Sequence, residues 1–300
     1  MLPSLFTSKY LARLETLTLR TKRKFHGSRT GSHLSLRRGP GLEFADYQRY
    51  TPGDALRSID WNLYSRTDRL YVKQYQEEQE LFTSLFLDNS ASMQYPIDNN
   101  KYESGRDIAL SVGYIVLASN DAFRLSLLAR ESSKPTYSST PFYRGRQRLQ
   151  NLARQLENSR PGGQCNILQS LAYQLQNYRR PGKAVWVSDF LFSLTEFRAG
   201  LTLLQSASYE VAVVQVLGHD ELDPPLRPEG VQLTDSESQE HANIHFDDRA
   251  KDTYLQHLNK HNREIESSCH RLGARYAQFN TIETVPYFIL RKLPELGLLH

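Results

Sequence analysis

Cysteine is scarce in this chain: Cys165 and Cys269 are the two it has. Two thiols cannot build a disulfide scaffold, and they suit a reducing compartment. Long apolar runs are missing as well. No stretch approaches the roughly 20 residues that a helix needs to cross a bilayer. The first residues, Met1-Leu-Pro-Ser-Leu-Phe, lack the charged start and apolar centre of a secretory leader. The chain is therefore expected to be soluble and cytoplasmic. No glycine-rich loop ending in Lys-Ser/Thr is there to cradle a phosphate. No internal repeat or low-complexity tract occurs.

What is present describes a globular protein. The chain has 300 residues, 39% hydrophobic and 23% charged, enough for one large domain or a domain with an appendage. The net charge of +4 is unevenly placed. Residues 9–38 carry nine Lys/Arg and one acid, Glu15, so the remainder holds 28 basic against 32 acidic residues. Such an arm could meet nucleic acid, an anionic membrane surface or an acidic protein, or fold back onto the acidic body. The last of these or a protein partner is favoured, because no aromatic platform or nucleic-acid motif accompanies the cations.

The stretch Glu80-Leu-Phe-Thr-Ser-Leu-Phe-Leu-Asp88-Asn-Ser90-Ala-Ser92-Met93 organises the rest. Its apolar run from Leu81 to Leu87 fits a strand buried on both faces of a parallel sheet. The run stops at Asp88, and hydroxyls follow at Ser90 and Ser92. The carboxyl end of a central strand is where open α/β sheets bind ligands. A carboxylate with two hydroxyls is a hard, all-oxygen donor set suited to Mg²⁺ or Mn²⁺. A strand-ending turn is the plainer alternative, since Asp and Ser are turn formers.

On either side of this stretch, residues 4–20 show helical spacing of Leu5, Tyr10, Leu11, Leu14 and Leu17. Residues 25–40, rich in Gly, Ser, Arg and His, read as loop. Asp46, Arg49, Asp54, Arg57 and Asp60 alternate in sign among Phe44, Tyr50, Ile59 and Trp61, which predicts paired, partly buried ions in a structural brace. Leu70–Tyr75 alternates as a strand. Beyond Met93, helices are expected over 102–119, 146–158, 167–178, 195–206, 248–272 and 285–293. Strands are expected over 121–129, 183–189, 209–217 and 275–279, with an irregular excursion over 130–145 and a small hairpin within 219–247. This β–α alternation implies a doubly wound, mostly parallel sheet.

Asp88-x-Ser90-x-Ser92 after an apolar strand resembles the first metal-site motif of von Willebrand factor A-type domains. A longer set extends the likeness. Gly41-Leu-Glu-Phe-x-Asp-x-x-x-Tyr-x-Pro-Gly-Asp54, then Arg57-x-Ile-Asp-Trp61, Arg66-Thr, Leu70-Tyr-Val-Lys73 and Asp88-x-Ser-x-Ser-Met93 resemble the bacterial DUF58 family. One departure is Ala55, where that family has a second acid. The resemblance implies a von Willebrand A-like (Rossmann-like) α/β fold with a β-containing N-terminal extension. The corresponding division is 1–40 as a basic helix and loop, 41–80 as the motif segment, and 81–300 as the A-like domain.

The resemblance also implies a metal-ion-dependent adhesion site. Asp189, ending the Val185–Ser188 strand, matches its third-loop acid. Cys165, in Pro161-Gly-Gly-Gln-Cys-Asn166, stands where the second loop has Thr. A thiol is a poor partner for Mg²⁺, so the site would bind it weakly, lose it, or take Zn²⁺ instead. With metal bound, the implied mechanism is recognition of a partner's carboxylate rather than turnover. The implied partner is a MoxR-type AAA+ ATPase with a client protein, acting in complex maturation or stress.

Enzymatic alternatives fit less well. A phosphoryl-accepting Asp88 would want a second acid where Ser90 stands. A metal-dependent hydrolase using Asp88 and Asp189 stays open. Cys165 has no His near it in sequence. His257 and His261 are four apart with Glu264 beyond, yet Leu258 occupies the position a zinc protease reserves for its general base, so a solvated helix face is expected. Cys269 is expected to be a buried or indifferent helix residue.

Overall fold

A computed structural model describes residues 2–21, 33–38, 43–54, 56–79, 81–96, 100–128, 138–159, 161–162, 166–177, 180–234 and 241–300. The chain divides into two compact units. One comprises Met1–Arg23 with Phe82–His300, and the other is Lys24–Leu81. The N-terminal residues thus belong with the large unit, rather than forming one segment with residues 24–40.

The smaller unit is a three-stranded antiparallel sheet, β1 (His33–Arg38), β2 (Glu43–Arg49) and β3 (Tyr71–Gln79), with β3 in the centre. Strand β1 overturns the loop expected over 25–40 within residues 33–38, and the rest of that stretch lies outside the described residues. A short helix, α2 (Trp61–Thr67), lies between β2 and β3 in the chain. Asp60 caps it, accepting from the Asn62 and Leu63 amides at 3.0 and 3.2 Å, and also takes the Tyr47 hydroxyl at 2.8 Å. Asp54 accepts from the Thr51 amide and hydroxyl, both at 2.9 Å. The brace therefore works by carboxylates bonding backbone and hydroxyls, with Asp60 buried while Asp46, Arg49, Arg57 and Trp61 are exposed. The exposure of Asp46, Arg49 and Arg57 corrects the expectation that these ions are partly buried.

In the large unit, α1 (Ser8–Leu14) is shorter than the helix expected over 4–20. It is pinned to α3 (Lys101–Ala118): the Tyr10 and Ser111 hydroxyls meet at 3.0 Å, and Glu15 accepts from Tyr114 at 2.6 Å. Leu19 then pairs with Leu299, and Lys183 donates to the Arg20 carbonyl. Residues 8–20 of the basic arm are thus laid against the body. Lys22, Arg23, Lys24 and Arg29 lie outside the described residues.

The sheet of this unit has five strands: β4 (Phe82–Asp88), β5 (Ala122–Leu128), β6 (Gly182–Ser188), β7 (Tyr209–Leu217) and β10 (Arg275–Asn280). Their order is β10-β7-β6-β4-β5, and every pairing is parallel. Residues 138–143 run antiparallel along the free edge of β5. Alternation along the strands sorts the two faces. Phe86, Trp186, Tyr209, Val211 and Val213 share a core with α5 (Ile167–Asn177), α6 (Leu194–Ser206) and α8 (Asp248–Arg271). Leu87 and Val187 meet α3 at Gly105 on the other face. Helices on both faces make the sheet doubly wound, which is why its strands read as apolar runs. α4 (Leu149–Glu157) packs on α3. The expected hairpin is β8 (Arg227–Thr234) with β9 (His241–Phe246), following a one-turn helix α7 (His219–Leu222). The chain closes with helical turns at Val285–Tyr287, Phe288–Lys292 and Leu293–Glu295, the middle one π-type.

Candidate functional site at the switch point of the sheet

The parallel strands begin in the middle of the sheet. From β4 the chain moves out to β5, then returns to lay β6 on the other side of β4. The crevice between β4 and β6 is therefore a topological switch point, where both following loops turn away and leave room for a ligand. Asp88 ends β4, and Asp189 follows β6. Register places Leu87 opposite Val187, so the two carboxylates emerge side by side.

Asp88 is 2% exposed. Its Oδ1 accepts from the Ser90 amide at 2.9 Å, and its Oδ2 accepts from the Ser188 hydroxyl at 2.6 Å. Ser188 Oγ in turn accepts from the Phe190 amide at 3.0 Å. Burial, then the neighbouring Asp189 charge, push the Asp88 carboxyl up to about 6 against the pull of these hydrogen bonds. The Ser90 and Ser92 hydroxyls lie 3.0 Å apart, so both oxygens converge beside Asp88 at the turn Ala91–Gln94.

Asp189 is 1% exposed and held from three directions. Its Oδ1 accepts from the Leu191 amide at 3.2 Å. Its Oδ2 takes the Lys101 ammonium at 2.8 Å. Its carbonyl takes Gln215 Nε2 at 2.9 Å, and Gln215 is itself held by Asn262 of α8 and by Tyr276. The next residue, Phe190, has φ of +54°, a costly conformation for a bulky side chain. His261 of α8 meets its carbonyl at 2.7 Å, and Trp186 and Phe197 enclose its ring. His261 thus braces the Asp189 loop, correcting the expectation of a solvated face.

Sequence reasoning missed Lys101 and Glu221. Lys101 opens α3 behind its cap, Asn100, and is fully buried. Its ammonium bridges Asp189 and Glu221 Oε1, the latter at 2.6 Å. The other Glu221 oxygen accepts from the Gly218 amide at 2.7 Å. Burial works against the charged ammonium, but the two carboxylates outweigh it and raise its pKa. Burial also raises Glu221, against the opposing pull of Lys101. A local signal existed: a lysine in the first turn opposes the positive end of a helix, and such conflicts concentrate at functional sites.

The structure thus brings Asp88, Ser90, Ser92 and Asp189 together. Cys165 lies outside the described residues, although the loop leading to it reaches the site: the Gly162 amide donates to the Asn89 carbonyl at 3.0 Å, and Gln94 donates to the Pro161 carbonyl. Among the described residues, no group of three or more His, Cys, Asp and Glu is arranged to hold a metal ion. The donors that do converge are the Ser90 and Ser92 hydroxyls beside the Asp88 carboxyl, which is buried next to a second acid. That set fits a hard divalent cation on the Asp88–Ser90–Ser92 side. Cys269, in α8, is buried, and burial pushes its thiol up to about 12, a state without nucleophilic reach.

Among solved structures, the chain resembles the conserved hypothetical protein BatB from Bacteroides thetaiotaomicron at 12% identity and TM-score 0.42, over 72% of this chain and 98% of that one. It also resembles a von Willebrand factor type A structure from Catenulispora acidiphila at 8% identity and TM-score 0.40, over 92% and 52%. Uncharacterized protein Rv1480 of Mycobacterium tuberculosis is 29% identical over 277 residues, covering 91% of this chain and 85% of the relative. Residues 46–264 match the model of the family described as "Protein of unknown function DUF58". That match takes in α2, both site strands and most of α8, and the chain belongs to the DUF58 family.

Proposed function

We propose that this protein is a non-catalytic binding or adaptor protein, and that it recognises a partner's carboxylate at the carboxyl edge of its sheet with the help of Mg²⁺ or Mn²⁺. The observation that carries this reading is Asp88. It is a buried carboxyl raised to about 6, beside a second acid and two converging hydroxyls at the switch point. Ser90 and Ser92 would hold the ion through their oxygens, and Asp88 would balance its charge. A bound divalent ion supplies a Lewis-acidic position that accepts a carboxylate oxygen. Tyr95 and Leu191, exposed in the loops that bear the site, offer apolar surface around it. The family resemblance points to a MoxR-type AAA+ ATPase as the partner and to a role in complex maturation or stress.

The test is calorimetric titration of the reduced protein with Mg²⁺, Mn²⁺ and Zn²⁺, beside Asp88→Ala and Cys165→Thr. Mg²⁺ or Mn²⁺ binding that Asp88→Ala abolishes supports the reading. Binding by Cys165→Thr alone would mean that this chain keeps the fold and engages its partner by another surface. Hydrolytic turnover lost in Asp88→Asn would replace the adaptor reading with a hydrolase.

A further inference from the structure

Lys101 is the group that the metal reading leaves without a purpose. Its ammonium is buried beside the candidate metal ligands, where a cation opposes binding of another cation. Desolvating it costs several kcal/mol unless charged partners repay the loss, and here two carboxylates surround it. Were Lys101 present only to neutralise Asp189, one acid would suffice. Glu221 instead returns a negative charge to the trio. With Asp88 ionised, the four groups sum to minus two, the charge that one divalent ion cancels. Lys101 also occupies Oδ2 of Asp189, while the Leu191 amide takes Oδ1. The Asp88 oxygens accept from neutral donors, the Ser90 amide and the Ser188 hydroxyl, whereas a cation already sits on Asp189, so of the two acids Asp88 keeps its charge available to an ion.

We infer that Lys101 is a positioning residue that holds Asp189 off the metal and sets the balance of the site, weakening its hold on the cation and strengthening its hold on an anionic ligand. The inference rests on the metal-assisted reading above. The physical reason is the sign of the Coulomb interaction. A fixed ammonium repels the metal and attracts the carboxylate that follows, and in a buried site both effects are large. A site in which Asp189 also met the metal would bind the ion tightly and leave it too little charge to recruit a ligand.

The test measures two constants on four proteins: the native chain, Lys101→Met, Glu221→Gln and the double variant. Mn²⁺ affinity is read by calorimetry. Acetate affinity of the Mn²⁺-loaded protein is read by water-proton relaxation, with folding checked by circular dichroism. Lys101→Met should bind Mn²⁺ roughly tenfold tighter and acetate roughly tenfold more weakly. Glu221→Gln should shift both constants the other way, and the double variant, which restores the net charge, should return toward native values. A merely structural lysine would not move the two constants in opposite directions. If the two constants move together, or the order stays flat while Mn²⁺ still binds, the inference fails and the metal reading survives. If no protein of the set binds Mn²⁺, both fall. If Lys101→Met does not fold, Glu221→Gln decides alone, since tighter or unchanged Mn²⁺ binding there overturns the inference.

Discussion

Ser188 Oγ stands 2.6 Å from Asp88 Oδ2 and donates to it, joining the ends of two neighbouring parallel strands. The same oxygen accepts from the Phe190 amide, so one hydroxyl positions both loops of the site. Ser188→Ala should remove a hydrogen bond to a charged acceptor and leave the buried Phe190 amide without this partner. A loss of about 1–3 kcal/mol is expected from urea unfolding. The Asp88 carboxyl should move further up, visible as a shift in the pH dependence of unfolding.

Asp88 should make the metal-free protein less stable as pH rises. Its folded value is raised from 3.8 to about 6, so the folded chain binds more protons than the unfolded chain between those values. Stability from this group is present below about pH 4 and falls as pH climbs through 6, by roughly 3 kcal/mol. Asp88→Asn should lose that slope and exceed the native protein in stability at pH 7 with chelator present. Thermal unfolding of both proteins across pH 4–8 would show it, and parallel curves would contradict it.

Proton and cation should compete at the same carboxyl. Mn²⁺ affinity is expected to be constant above about pH 6 and to weaken roughly tenfold per unit below it, because Asp88 must release its proton first. Calorimetry at pH 5, 6 and 7 measures this directly.

His261 should matter although it carries none of the donors. Its bond to the Phe190 carbonyl helps to hold a backbone at φ +54°. His261→Leu should cost about 1 kcal/mol and weaken Mn²⁺ binding, whereas His257→Leu should change neither. Equal effects from both would place the role in the helix rather than in this contact.

Gly182 opens β6 where a Cβ would stand 2.0 Å from the Phe82 carbonyl oxygen of β4. Gly182→Ala should force the two strands apart at their amino ends, costing at least 1–3 kcal/mol in chemical denaturation.

Much of this architecture was legible in the residue order. Leu81–Leu87 read as a doubly buried strand because it is one, and the runs at 183–189 and 209–217 follow the same logic. That Asp88, Ser90, Ser92 and Asp189 stand together at the ends of two neighbouring strands was legible because an acid that closes an apolar run leaves a short local mark. Strand β1 was not, since the alternation of Leu34 and Leu36 is brief and surrounded by Gly, Ser and Arg. Lys101 and Glu221 escaped because their pairing joins residues 120 positions apart, and periodicity cannot report such a contact. His261 escaped for the same reason, its acceptor lying 71 residues upstream.

The bond between Ser188 and Asp88 closes a span of 100 residues, and Lys101 closes spans of 88 and 120. Contacts this distant in sequence form late, after the loop-closure entropy between them has been met by strand pairing. A chain stalled with β4 and β5 paired but β6 undocked carries Asp88, Ser90 and Ser92 without the rest of the pocket. Any partner that recognises the assembled crevice therefore selects molecules that have finished folding, and the binding event doubles as an inspection of the chain's own completeness.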